Sequence, residues 1–158
     1  MKTTKNELHQ KAMKQMTTFT SEGLSIQAES KKIWKLLTPY HNGKPMPKID
    51  VSTRGIKFDN DGTAWRFSGG SAGYADITEH RVWLKCSPDW EVIAHELVHL
   101  AVTRNHDKVF YNALRDVTQR RFKVRISFFE VTRYGYDVDR IIERQLHDLG
   151  VFSKKGTK

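Results

Sequence analysis

Residues 92–102 read VIAHELVHLAV, and all are apolar except His95, Glu96 and His99. A helix that is apolar on most of its faces belongs in a core. Two imidazoles and a carboxylate buried there without partners would cost roughly 2–7 kcal/mol per group. Residues four apart on a helix share a face, so His95 and His99 present ring nitrogens to one point. Glu96 sits one step round, within reach of a water held there. The spacing is HExxH, which places a divalent metal between two imidazoles and a carboxylate beside it as general base. A metal and its water would satisfy all three groups. The competing reading is a core helix whose histidines bond backbone carbonyls, since so short a pattern has chance matches. The surrounding order, a strand, a capped helix and then a third candidate ligand, favours the metal.

A catalytic metal needs a third protein ligand and an open position. His106, seven residues after His99, is the leading candidate, because Arg104 and Asn105 break the helix just before it. Asp107 is a plain N-cap for the next helix, and Phe110 packs beneath. Glu130 and Glu143 are the alternatives, on later elements. Cys86 is the sole cysteine, so a cysteine cluster cannot hold the metal and a disulfide framework is excluded.

The 158 residues suffice for one domain with a core. We expect a polar, basic lead-in over 1–23, a single domain over 24–150 and a basic, flexible tail over 151–158. Residues 24–37 form an imperfect amphipathic helix ended by Pro39. Residues 41–47 are a loop. Short alternating segments at 48–52, 55–58, 63–68, 74–78 and 81–85 predict a small, mostly antiparallel sheet. Ser87 as N-cap and Pro88 at the first position open the HELVH helix, which runs to about Thr103. A second helix spans 108 to about 121, with Phe110, Ala113, Leu114 and Val117 on one face. Residues 124–136 read as a strand or hairpin. Asp137 or Asp139 caps a last helix to Leu149, stopped by Gly150. The fold class is α+β.

No apolar run approaches a membrane span, and the N-terminus lacks the apolar core of a secretory signal. A cytoplasmic monomer is therefore expected. The formal net charge of +9 favours an anionic partner, with DNA the simplest, in which case the protein would be nucleoid-associated. The first 48 residues hold nine lysines against three acids, with Lys31, Lys32 and Lys35 on the first amphipathic helix. Arg115, Arg120, Arg121, Lys123 and Arg125 form a second basic group, opposed only by Asp116. Phe122 among them is a candidate for stacking on a base. A solvated surface explains both groups equally well.

Residues 95–114, HELVHLAVTRNHDKVFYNAL, resemble the metal-binding core of the SprT-like and WLM metalloproteases, the group that includes Spartan. The resemblance covers about residues 60–120 and is carried by HExxH followed by His106-Asp107-Lys108-Val109-Phe110. It implies a zincin-like domain in which the sheet packs on an HExxH helix with further helices at its flanks. It also implies one Zn2+ per chain on His95, His99 and His106, Glu96 as general base to a zinc-held water, and hydrolysis of peptide bonds in DNA-associated proteins. An extended substrate would add to the sheet edge near 81–85. The alternative is a basic DNA-binding or regulatory module whose zinc is structural or non-catalytic. A zinc hydrolase with a non-protein substrate is a further rival.

Overall fold

The HELVH segment forms a buried helix within the hydrophobic core. The computed structural model describes residues 4–54, 56–58, 64–66, 72–127 and 136–152. In chain order the elements are α1 (Lys5–Thr18), α2 (Ile26–Leu36), α3 (Thr38–His41), β1 (Lys48–Ser52), β2 (Ile56–Phe58), β3 (Ala64–Arg66), β4 (Gly73–Asp76), β5 (Arg81–Lys85), α4 (Trp90–Ala101), α5 (Lys108–Phe122) and α6 (Tyr136–Asp148). Among these residues no helix is long and apolar enough to cross a membrane.

The main sheet has the order β1-β5-β4. Strand β4 runs antiparallel to β5, with Gly73 opposite Leu84 and Asp76 opposite Arg81. Their connecting turn is held by the Asp76 carboxylate, which accepts from the Glu79 N–H at 3.0 Å, and by His80 in the left-handed region at φ 52°. Strand β1 runs parallel to β5, with Lys48 opposite Arg81 and Ser52 opposite Lys85. The sheet is therefore mixed, not mostly antiparallel. Alternation in a sequence tells which side chains share a face but not which way a neighbouring strand runs. It follows that β5 is the central strand and offers no free edge; the end strand beside α4 is β4. Strands β2 and β3 form a separate antiparallel pair.

Val82 and Leu84 of β5 join Ile93, Ala94, Leu97 and Val98 of α4 in one core with Ile26 and Ile33 of α2, Leu114 and Val117 of α5, and Val138, Ile142 and Leu146 of α6. Pro39 opens α3 instead of only ending the helix before it, since its fixed φ suits a first turn.

Residues 5–18 of the expected lead-in form a helix. Thr4 caps it through the Glu7 N–H at 3.1 Å, and the Thr17 hydroxyl donates to the Met13 carbonyl at 3.0 Å. The end of α1 and the segment after it grip the start of α4. The Ser87 N–H donates to the Met16 carbonyl at 2.7 Å, and the Ser21 N–H donates to the Pro88 carbonyl at 2.9 Å. This shifts the helix start from its expected place. Ser87 sits at φ 48° outside the helix, and the N-cap residue is Asp89, whose side chain makes no cap bond. The Glu22 carboxylate instead accepts from the Trp90 N–H at 2.9 Å.

Residues 124–127 have no regular structure, and the rest of the expected hairpin lies outside the described residues. The Gln119 side chain accepts from the Ile126 N–H at 2.9 Å, and Gln145 bonds both backbone groups of Ser127 at 2.8 and 2.7 Å. Helix α6 begins at Tyr136, so Asp137 and Asp139 lie inside it and do not cap it. It ends at Asp148, one residue before the expected Leu149, and Gly150 beyond it provides the expected stop at φ +69°. The Val151 N–H reaches the Leu146 carbonyl at 3.0 Å and the Gly150 N–H the His147 carbonyl at 3.0 Å, a Schellman closure. Phe152 then packs edge-on against Phe122 at 5.2 Å and is buried.

Candidate metal centre

Helix α4 projects His95 and His99 from consecutive turns, and the turn between α4 and α5 returns His106 to face them. The His106 Nε2 lies 3.0 Å from the His95 Nε2 and 2.9 Å from the His99 Nε2. Phe110 is fully buried beneath, its ring 4.7 Å from that of His95, 4.4 Å from His99 and 5.2 Å from His106. Asp107 fixes Phe110 in place by capping α5 through the Phe110 N–H at 3.0 Å.

The far nitrogens determine which way the lone pairs point. The His99 Nδ1 lies 2.9 Å from the Thr103 carbonyl, which can only accept, so Nδ1 carries the hydrogen and Nε2 is bare. The His95 Nδ1 lies 3.0 Å from Asp139 Oδ1, which leaves its Nε2 bare by the same reasoning. His106 can donate one hydrogen to one of these nitrogens, never to both. At least one of the two short N···N contacts is then left without a hydrogen between its nitrogens. A cation between the three imidazoles removes that conflict, so these residues fit a metal ion. Burial, above all, pushes the His99 imidazole down to about 4, and lowers His106 as well. Both are neutral at pH 7 and ready to ligate.

Glu96 is buried, one position round from His95. Its fit depends on Gly73. A Cβ at position 73 would stand 3.0 Å from Glu96 Cγ, 3.1 Å from its Oε2 and 3.1 Å from Val92 Cγ1. Burial raises the Glu96 pKa, the electrostatic influence of His95 opposes this, and that of Asp139 adds to it. His95, Glu96, His99 and His106 line a cleft of ≈ 480 Å³, whose opposite wall is β4 and the turn after it, from Gly73 to Thr78, with Arg104 at its margin.

Two further carboxyls sit behind His95. Glu91, Asp139 and His95 bring their ligand atoms together as a second group. Glu91 Oε1 lies 3.9 Å from His95 Nδ1 and has no hydrogen-bond partner among the described residues. Burial, then the adjoining Asp139 carboxyl, push the Glu91 pKa well above the ordinary carboxylate range. Sequence reading missed both. Glu91 had a signal, since Glu91, His95 and His99 recur at four-residue intervals along one helix face. Glu143 is not in either group; burial and then Asp89 raise its pKa. Glu130 lies outside the described residues.

The two basic segments are brought onto adjoining helices. Arg121 makes two hydrogen bonds to Glu29 at 2.7 and 2.8 Å, and Lys32 approaches the same carboxylate at 3.4 Å. Burial alone would raise the Glu29 pKa, but the bonds and charge of Arg121 hold it below the usual value. Arg120 reaches the Leu36 carbonyl at 3.3 Å and Asp116 at 3.9 Å. Arg115 is half-buried, whereas Lys31, Lys35, Lys123 and Arg125 are exposed.

No protein-family model, curated protein or solved structure matches the chain. The fold and the site define a small α+β domain with a mixed three-stranded sheet, flanking helices and a clustered His, Glu and Asp centre. That architecture is consistent with a zincin-like metal-binding fold, and the cluster is compatible with peptidase chemistry.

Proposed function

We propose that the chain is a zinc-dependent metallopeptidase of the SprT-like kind, with His95, His99 and His106 as ligands and Glu96 as general base. The main support is the convergence of three imidazole Nε2 atoms beside a buried carboxylate at the wall of an open cleft. An all-imidazole donor set suits zinc over calcium or magnesium, which prefer oxygen. Zinc, when bound, supplies a Lewis acid that polarises a carbonyl and makes water more acidic.

The chain's own groups do the rest. Glu96 takes the proton of the attacking water and returns it to the leaving amine, and its raised pKa brings it closer to working pH. Strand β4 ends its sheet among the described residues and lines the cleft, so an extended peptide pairs along it. The exposed cations on and after α2 and α5 support DNA-associated proteins as the substrate class, in a cytoplasmic, nucleoid-associated monomer.

The test is bound zinc per chain, together with cleavage of a basic, unstructured protein with and without single-stranded DNA, for wild type and Glu96→Gln. About one zinc in both proteins, with cleavage only in wild type, is the expected result. Zinc without cleavage under any condition replaces this reading with a regulatory or DNA-binding module holding non-catalytic zinc.

A further inference from the structure

Helix α6 is amphipathic, and its core-facing stripe contains an acid. Asp139, Ile142 and Leu146 fall at i, i+3 and i+7, and the last two are fully buried. A carboxylate on such a stripe needs a partner, and this one lies 3.0 Å from His95 Nδ1. It also lies in the first turns of α6, where the helix dipole favours negative charge.

We infer that Asp139 is a positioning residue: it fixes the His95 ring and its Nδ1–H tautomer so that Nε2 faces His99 and His106. This rests on the metal reading of the site. The Asp139 carboxylate oxygen accepts from Nδ1–H, which leaves the Nε2 lone pair as the only one the ring can offer. His99 has the matching arrangement through the Thr103 carbonyl, 2.9 Å from its Nδ1. The two α4 histidines thus differ in kind. His99 is oriented by its own helix end, whereas His95 is oriented by an element 44 residues away. The His95 lock therefore forms only when α6 docks.

The experiment is zinc affinity of the full chain by chelator competition, for wild type, Asp139→Asn, Asp139→Ala and, as a control on the exposed face of α6, Arg144→Ala. Asp139→Ala should bind zinc about 10–100-fold more weakly, Asp139→Asn should fall between it and wild type, and Arg144→Ala should match wild type. Unchanged affinity in Asp139→Ala overturns the inference. So does a wild type that binds two zinc ions and loses one in Asp139→Ala, since Asp139 would then be a ligand. If the alanine variant does not fold, the unmutated metal-free protein decides by ¹⁵N spectroscopy of the imidazoles. A His95 ring protonated at Nδ1 supports the inference; one protonated at Nε2 overturns it. Zinc binding without peptidase activity would remove the enzyme reading and leave this one standing, because the readout is affinity.

Discussion

The Glu22 carboxylate accepts a hydrogen bond from the Trp90 backbone N–H at 2.9 Å, across 68 positions of sequence. The helix bearing HELVH is therefore capped from the segment after α1. Ser21 strengthens the same junction, its hydroxyl bonding the Asp89 carboxylate. Glu22→Ala removes the acceptor for an otherwise orphaned helix N–H. We expect a loss of about 1 kcal/mol in unfolding free energy, measured by urea titration. No change would mean that water replaces Glu22 without cost.

Gly73 sets how closely β4 approaches Glu96. Its backbone does not need glycine's freedom, so Gly73→Ala tests space alone. The new methyl meets Glu96 Cγ at 3.0 Å and must push the carboxylate or the strand aside. Cleavage should fall by about 10-fold or more, since small misplacements of catalytic groups are costly. Zinc content should stay at the wild-type level. Full activity in this variant would show that Glu96 has room to spare.

The His99 imidazole, pushed down to about 4, gives the metal-free protein a defined pH response. The unfolded chain takes up a proton near 6.5 that the folded chain refuses until about 4. The stability His99 contributes is thus fully present above about 6.5 and is lost as pH falls toward 4. Other groups titrate with the opposite sign, Glu91 among them, so the comparison is with His99→Asn. The stability of wild type relative to this variant should drop by roughly 1–2 kcal/mol between pH 7 and 4, allowing for solvent screening of a partly buried ring. A rise on acidification would contradict the assignment.

Arg121 and its basic neighbours should behave differently. Arg121→Ala leaves Glu29 buried without its bidentate partner and should cost about 3–5 kcal/mol in unfolding free energy. Lys31→Ala, Lys35→Ala and Lys123→Ala should each change stability by less than about 0.5 kcal/mol. If DNA binds along α2 and α5, these three together should weaken binding and lower its salt dependence. Equal effects on folding from Arg121 and the lysines would rule out the division.

Much of this protein is written locally. The HELVH spacing, the Asp107 cap, Phe110 below it and the Gly150 stop depend on residues within one or two helical turns, and the helices form where these signals place them. Strands β1 and β5 have the bounds their alternation suggests. The tertiary structure decided what no local signal carries. It made β1 parallel to β5, because strand direction depends on the path of the intervening chain. It moved the start of α4 from Ser87 to Asp89, because backbone bonds to Met16 and Ser21 hold residues 87 and 88 out of the helix. It paired Arg121 with Glu29 and turned Asp139 from an expected helix cap into the partner of His95. A sequence specifies which groups are near along the chain. Which carboxylate meets which cation or imidazole depends on packing, and there the buried faces of α2, α4, α5 and α6 made the choice.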